Sequence, residues 1–149
     1  MKQRPFNFVV LSALTVIALL LSGCDDDYLP AALTTEVSTF VMKKYPGALI
    51  LEVEREEGRR IEVSIIHGNT DKEVLFDLKG RWLQTSWDVS ISDLPQAVRE
   101  ALTGSAFAGY RIDDADFVET AYDSYYLLEL ERGRHEMWVR IDGDGRVLN

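Results

Sequence analysis

Apolar and polar residues alternate with a period of two along much of the chain. Ile61, Val63 and Ile65 are apolar while the residues between them are polar, and Val74 and Phe76 repeat the pattern. Successive side chains of a β-strand point to opposite faces of a sheet. The alternation therefore predicts strands with one buried face. Glycine-bearing turns are expected between them at Glu57-Gly58, Gly68-Asn69, Lys79-Gly80, Gly133 and Asp144-Gly145.

Two stretches have helical spacing instead. Leu33, Val37 and Val41 recur every four residues after Pro30, and Tyr45-Pro46-Gly47 ends that segment, since proline cannot continue a helix. The second helix is predicted to begin at Ser92 or Asp93 with Pro95 in its first turn, and Val98 and Leu102 face inward. Each helix precedes a set of strands.

The chain matches itself at an offset of 65 residues. Residues 29–84 and 94–149 align without a gap and share twelve identities over 56 positions, including turn glycines and paired apolar positions. This predicts an internal duplication. The expected fold class is α+β: a tandem duplication of a helix followed by an antiparallel four-stranded meander, with both helices packed on one face of a shared antiparallel sheet.

The N-terminus has the pattern of a secretory signal. Lys2 and Arg4 precede an apolar run over residues 8–21, which is shorter than the roughly 20 residues that a membrane-spanning helix needs. The run ends in Leu21-Ser22-Gly23-Cys24, which resembles a bacterial lipobox. That resemblance implies a signal peptide over residues 1–23, lipidation of Cys24, an acidic tether over 24–28 and a domain over 29–149. The alternative is an ordinary signal with a chance cysteine.

The expected location is therefore the bacterial cell envelope, on its periplasmic or cell-surface side, with the lipid as the contact with the membrane. Several acyl chains make such attachment effectively permanent. The inner membrane, outer membrane and cell surface stay open as destinations.

The composition excludes several functions. The chain has 16 Lys and Arg against 25 Asp and Glu, a net charge of −9, one Cys and two His. These counts exclude an internal disulfide and the usual zinc sites, and they make nucleic acid an unsuitable partner. No cofactor is expected.

The sequence offers no recognisable catalytic motif. His67 and His135 lack a nucleophile partner, and Asp142-Gly143-Asp144-Gly145 lacks room for a complete EF-hand loop before Asn149. Asp113, Asp114 and Asp116, or Glu52, Glu54, Glu56 and Glu57, could supply paired carboxylates for acid/base work. A solvated acidic edge that discourages aggregation is the simpler interpretation. A non-enzymatic protein is predicted.

Four segments resemble PepSY-like lipoproteins, a group allied with β-lactamase-inhibitor-like proteins. They are Tyr45-Pro46-Gly47-Ala48, the strand with Val53-Glu54, the hairpin of residues 73–77 and 80–83, and Ser92-Asp93-Leu94-Pro95. The resemblance implies a secreted binding module. Relatives of this fold include inhibitors that lay a concave sheet over an enzyme and propeptide domains that restrain peptidases.

The alternation leaves apolar side chains on the sheet face away from the helices. We expect this face to bind a neutral or basic protein, because uncovered Trp and Arg residues are typical of recognition surfaces. The residues could instead be cross-strand pairs that stiffen the sheet, or loops could cover them. The predicted function is binding or inhibition of another envelope or extracellular protein, such as a peptidase or hydrolase. The alternatives are an accessory subunit of an envelope complex and a small acid/base hydrolase. The candidate residues are Ile66, Leu75, Trp82, Leu127, Trp138 and Arg140.

Overall fold

A computed structural model of the chain describes residues 33–56, 59–103 and 107–148. It contains one eight-stranded sheet in which each strand pairs with the next along the chain. Helix α1 spans Thr35–Lys44, and α2 spans Gln96–Ala101 between the fourth and fifth strands. The strands are β1 (Leu49–Glu56), β2 (Arg60–His67), β3 (Thr70–Asp77), β4 (Trp82–Asp88), β5 (Arg111–Thr120), β6 (Ser124–Arg132), β7 (His135–Ile141) and β8 (Val147–Leu148).

All seven strand pairings are antiparallel. The centre of the sheet is the pairing of β4 with β5, in which Thr85 lies opposite Glu119 and Asp88 lies opposite Asp116. This pairing joins the two parts of the chain into one continuous meander. Strands β4 and β5 are therefore interior strands of the sheet.

The α+β prediction is wrong, because the molecule is predominantly β. The two α-helices in the described residues have only 10 and 6 residues, and β4 pairs directly with β5, so the strands form one continuous eight-stranded meander. The second helix is short for a local reason. Leu94 precedes Pro95, and a residue before proline is driven out of the helical region. Leu94 is extended at ψ 138°, so α2 begins only at Gln96, after a separate 3₁₀ turn over Ile91–Asp93.

Most of the buried side chains form two clusters on one face of the sheet, which we call the core face. Val37 and Val41 of α1 pack in the first cluster, and Val98 of α2 packs in the second. Apolar strand residues complete both clusters, and the burial of their side chains stabilises the sheet. The first cluster includes Ile61, Val63, Ile65, Val74 and Phe76; the second includes Ala115, Leu128, Leu130, Val139 and Ile141.

Two turns have the same hydrogen bonds. The Asp77 carboxylate accepts backbone N–H groups from Lys79 and Arg81, and the Asp142 carboxylate accepts those of Asp144 and Arg146. In each turn the arginine Nε also donates to the aspartate, at 2.6 Å and 2.8 Å respectively. A glycine with positive φ follows in both, at positions 80 and 145, and each lies against a helix.

Candidate protein-binding face

The face of the sheet opposite the two clusters is here called the open face. Val63, Val74 and Thr85 are buried on the core face, so their neighbours Ser64, Glu73 and Ser86 point the other way. Both helices contribute their buried residues to the core face. Within the described parts of the chain, the open face therefore has no helix packed over it.

Five of the six predicted binding residues lie on the open face. Leu127 lies between Asp116 on β5 and Arg140 on β7, and Trp138 lies opposite Glu129. The remaining two of the five, Ile66 on β2 and Leu75 on β3, occupy different rows of the same face. Trp138 is 52% exposed and Arg140 is exposed, whereas Ile66, Leu75 and Leu127 are partly buried. The five residues share a face but do not form one contiguous patch.

The placement of Trp82 on this face is wrong. The register of β3 and β4 shifts so that Phe76 lies opposite Trp82 and Leu75 lies opposite Gln84, which leaves Leu83 as an extra residue. Such a bulge reverses the parity of the strand. Trp82 therefore packs on the core face, where it stacks on Phe40 at 5.3 Å between ring centroids. The extra residue, Leu83, is 39% exposed.

A pocket of about 380 Å³ lies on the open face. Leu51 and Trp138 contribute apolar surface to its lining, and carboxylates from three adjacent strands contribute charge. The sequence predicts a solvated edge at aspartates 113, 114 and 116, but β5 is a central strand. The pocket depends on the register of β4 against β5, and no local sequence pattern predicts that register. The acidic lining residues are Asp71, Glu73, Asp88, Asp114 and Asp116.

The carboxylates in this pocket perturb one another. Burial raises the pKa of Asp116 to about 6, and the charge of Asp114, a hydrogen bond and charge from Asp88, and the charge of Glu73 act in the same direction. Outside the pocket lining, Glu129 lies opposite Asp114, and burial raises its pKa, with further contributions from the charges of surrounding acidic groups, the largest from Glu136. The pocket is thus a site of concentrated negative charge. No group of three or more potential ligands suited to a metal ion occurs among the described residues.

A buried polar network supports the central strands from the core face. The hydroxyl of Thr85, which is fully buried, accepts hydrogen bonds from the Tyr45 hydroxyl at 2.7 Å and from the Trp82 Nε1 at 3.0 Å. Burial raises the pKa of Tyr45 to about 12, although the hydrogen bond with Thr85 opposes the shift. Lys44 of α1 forms an ion pair with Glu119 of β5 at 2.8 Å. These contacts tie α1 to the two strands that carry Asp88 and Asp116.

Cys24, the acidic tether and the signal peptide lie outside the described residues, so their predicted roles stay predictions. No helix in residues 33–56, 59–103 or 107–148 is long and apolar enough to cross a membrane. The predicted domain boundaries and the duplication of residues 29–84 and 94–149 likewise stay predictions.

The fold is an eight-stranded antiparallel meander with both helices on the core face. The sequence model of the family described as "Putative beta-lactamase-inhibitor-like, PepSY-like" matches residues 59–149. The chain therefore belongs to this PepSY-like family, as the resemblance predicted. No curated protein matches the chain.

Solved structures share the fold. A BLIP-like protein of Bacteroides fragilis is 26% identical with a TM-score of 0.70, and the match covers 82% of this chain and 86% of that one. A DUF2874 family protein of Bacteroides uniformis is 18% identical with a TM-score of 0.68 over 78% and 87% of the two chains. A Bacteroides eggerthii protein described as "putative periplasmic" is 17% identical, with a TM-score of 0.65 over 78% and 86%.

Proposed function

We propose that the protein binds, without catalysis of its own, another envelope or extracellular protein through the open face. The observation that carries this proposal is the pocket beside the exposed Trp138, on the side of the sheet away from both helices. A half-exposed tryptophan at a pocket rim is a frequent source of binding energy in interfaces. Inhibition of a peptidase or hydrolase is the form of binding that the family resemblance favours.

Membership of a family described as β-lactamase-inhibitor-like supports a binding role. The B. fragilis relative is described as BLIP-like, and its similarity extends over most of both chains. Family membership supports the mode of action and leaves the partner to experiment, since related folds carry many functions.

The location proposed for this activity is the bacterial envelope, with the lipidated Cys24 as anchor. The Leu21-Ser22-Gly23-Cys24 quartet after an apolar run supports this, and so does the description of the B. eggerthii relative. Cys24→Ser should release the full chain from the membrane fraction, as measured by fractionation and immunoblotting. Retention of the Cys24→Ser chain in membranes would contradict lipid anchoring.

The binding role is tested by adding the purified full chain to co-secreted peptidases and hydrolases. Inhibition at near-stoichiometric ratios is expected for the native chain, and Trp138→Ala should weaken it by about tenfold or more. Met42→Ala is the matched control, because Met42 is an exposed apolar residue of α1 on the core face. Equal losses in both variants, or none in Trp138→Ala, would contradict the open face as the binding surface.

An accessory subunit of an envelope complex would use the same surface without inhibiting anything. Stable co-purification with one partner whose activity is unchanged favours that alternative. The hydrolase alternative has one supporting observation, the raised pKa of Asp116 beside Asp88. The hydrolase alternative requires that the purified native chain has a hydrolase activity and that the Asp116→Asn variant lacks it.

A further inference from the structure

We propose that the pocket at the centre of the open face receives a lysine or arginine side chain of the protein partner. This inference rests on the proposed function and names the chemistry by which the face recognises its partner. Its basis is the position of an acidic pocket beneath an exposed tryptophan on the uncovered side of the sheet.

The charge of the pocket comes from the sheet itself. Asp88 and Asp116 lie opposite each other on β4 and β5, and Asp114 lies two residues along β5. Within the described residues, no salt bridge from a lysine or arginine joins any of these three carboxylates. Lys72 also contributes to the pocket lining, but it lies opposite the buried Ile65, so its side chain points to the core face, where its ammonium lies 3.2 Å from the centre of the Trp87 ring. The three aspartates are thus placed to attract an external cation.

The apolar lining indicates a side chain rather than a bare ion. Leu51 and Trp138 line the pocket, and they are 54% and 52% exposed. A lysine or arginine has an aliphatic stem that packs against such surfaces, and its cationic end is attracted to an aromatic face and to carboxylates. The pocket of about 380 Å³ has room for a side chain. A small hydrated ion would make no favourable contact with the apolar surfaces of Leu51 and Trp138.

Charge complementarity also operates at long range. The whole chain has a net charge of −9, so it repels acidic proteins and attracts basic ones. The acidic residues that line the pocket concentrate this attraction at one place on the open face. The partner surface expected here is therefore basic, with one protruding cationic side chain.

Binding should depend on pH, because protonation of Asp116 removes one of the attracting charges. The charged groups around Asp116 come from four other strands and from its own. They are Asp71 and Glu73 on β3, Asp88 on β4, Asp114 on β5, Glu129 on β6 and Arg140 on β7. The acidic members favour the protonated form of Asp116, while a bound cation favours the ionised form. Affinity should therefore fall as the pH is lowered through about 6.

The test uses the full chain in detergent and two peptides that differ in one group. Ala-Arg-Ala amide carries a guanidinium, and the citrulline analogue is nearly isosteric but uncharged. At about pH 7.5 we expect weak binding of the arginine peptide, with a Kd near 1 mM, and at least about tenfold weaker binding of the citrulline peptide. Heteronuclear NMR shifts at Asp88, Asp116 and Trp138 locate the site.

Asp116→Asn and Asp88→Asn should each weaken binding of the arginine peptide by about tenfold, and both substitutions retain the side-chain shape. Asp144→Asn removes the same charge from an exposed turn away from the pocket and should change the affinity by less than about twofold. Equal affinities for the two peptides, or equal losses in Asp116→Asn and Asp144→Asn, would overturn the proposal.

Failure of this inference can be told apart from failure of the proposed function. If Trp138→Ala abolishes partner binding while Asp88→Asn and Asp116→Asn do not, the open face stands and the cation pocket is wrong. If Trp138→Ala leaves partner binding intact, the proposed function is wrong, regardless of the affinities measured for the two peptides.

Discussion

Thr85 is the buried hydroxyl on which two aromatic side chains converge. Replacing it with valine keeps the volume but leaves the Tyr45 hydroxyl and the Trp82 Nε1 without their shared acceptor. Because unsatisfied buried polar groups each cost about 1–3 kcal/mol, we expect Thr85→Val to lower the free energy of unfolding by about 2 kcal/mol. Urea denaturation measures the change. A loss no greater than that of Thr103→Val, at an exposed helix end, would contradict the network.

Asp116 should destabilise the fold when ionised. Its pKa is about 6 in the folded state against an ordinary value of 3.8, so its ionisation in the folded chain opposes folding at pH values above about 6. Asp116→Asn should therefore raise the free energy of unfolding by about 1 kcal/mol near pH 7.5, after allowance for its partial exposure. This gain should shrink as the pH falls through about 6 and vanish below 3.8.

Thermal unfolding of the native chain and Asp116→Asn at several pH values checks this sign. A difference that stays constant from about pH 7.5 to below pH 3.8 would show that ionisation of Asp116 is not the cause. Glu36→Gln is a useful control at an exposed carboxylate, because hydrogen bonds at the start of α1 lower its pKa instead. Its effect on stability should have the opposite sign at neutral pH.

At the residue scale, strand parity was the most accessible feature of the sequence. The alternation of Ile61, Val63 and Ile65 leads directly to their burial in the first cluster. The alternation failed at Trp82, because the bulge depends on the pairing of β3 with β4 and has no signature in the local sequence. A one-residue insertion of this kind exchanges the two faces from that point onward.

Among the elements, the turn after β7 fits closely against α2. An added Cβ at Gly145 would lie 2.6 Å from the Ala97 carbonyl oxygen, and its φ of +85° is unfavourable for other residues. Gly145→Ala should therefore lower the free energy of unfolding by about 2 kcal/mol. Gly143→Ala, with nothing within 4 Å, should change it by less than about 0.5 kcal/mol. Similar effects of the two substitutions in thermal unfolding would contradict this packing.

Helix boundaries were only partly accessible from sequence. Val37, Val41 and Val98 were correctly expected to face inward, since spacing determines the buried side of a helix. The start and the length of α2 were not predicted correctly, because Leu94 and Pro95 separate this helix from the residues predicted to cap it. The aspartate turns at Asp77 and Asp142 have matching hydrogen bonds, and the duplication itself stays a prediction.

At the scale of the molecule, two buried clusters are connected by one sheet. Because β4 and β5 pair along the middle, we expect both clusters to unfold in one transition. Phe76→Ala should lower the free energy of unfolding by about 3–5 kcal/mol. Hydrogen exchange should show the loss of protection in the strands of both clusters, including β6. Protection that falls only in the first cluster would contradict this coupling.

The overall charge and the family were accessible from the sequence, but the acidic pocket was not. Asp71, Asp88 and Asp116 are far apart along the chain and come together only through the register of three strands. The α+β prediction failed at this scale too, because local patterns identify helices and strands but do not show that β4 pairs with β5 to make one continuous eight-stranded meander. The pairing of strands that are distant in sequence determines both the fold class and the acidic pocket.

The central claim is that the open face contacts the protein partner. Site-specific photo-crosslinking in the native envelope tests it most directly, with the photoreactive residue placed at position 138 on the open face or at position 42 on α1. We predict a discrete crosslinked protein from position 138 that is absent from position 42. Crosslinking of that protein from position 42 alone, or equally from both positions, would contradict the account.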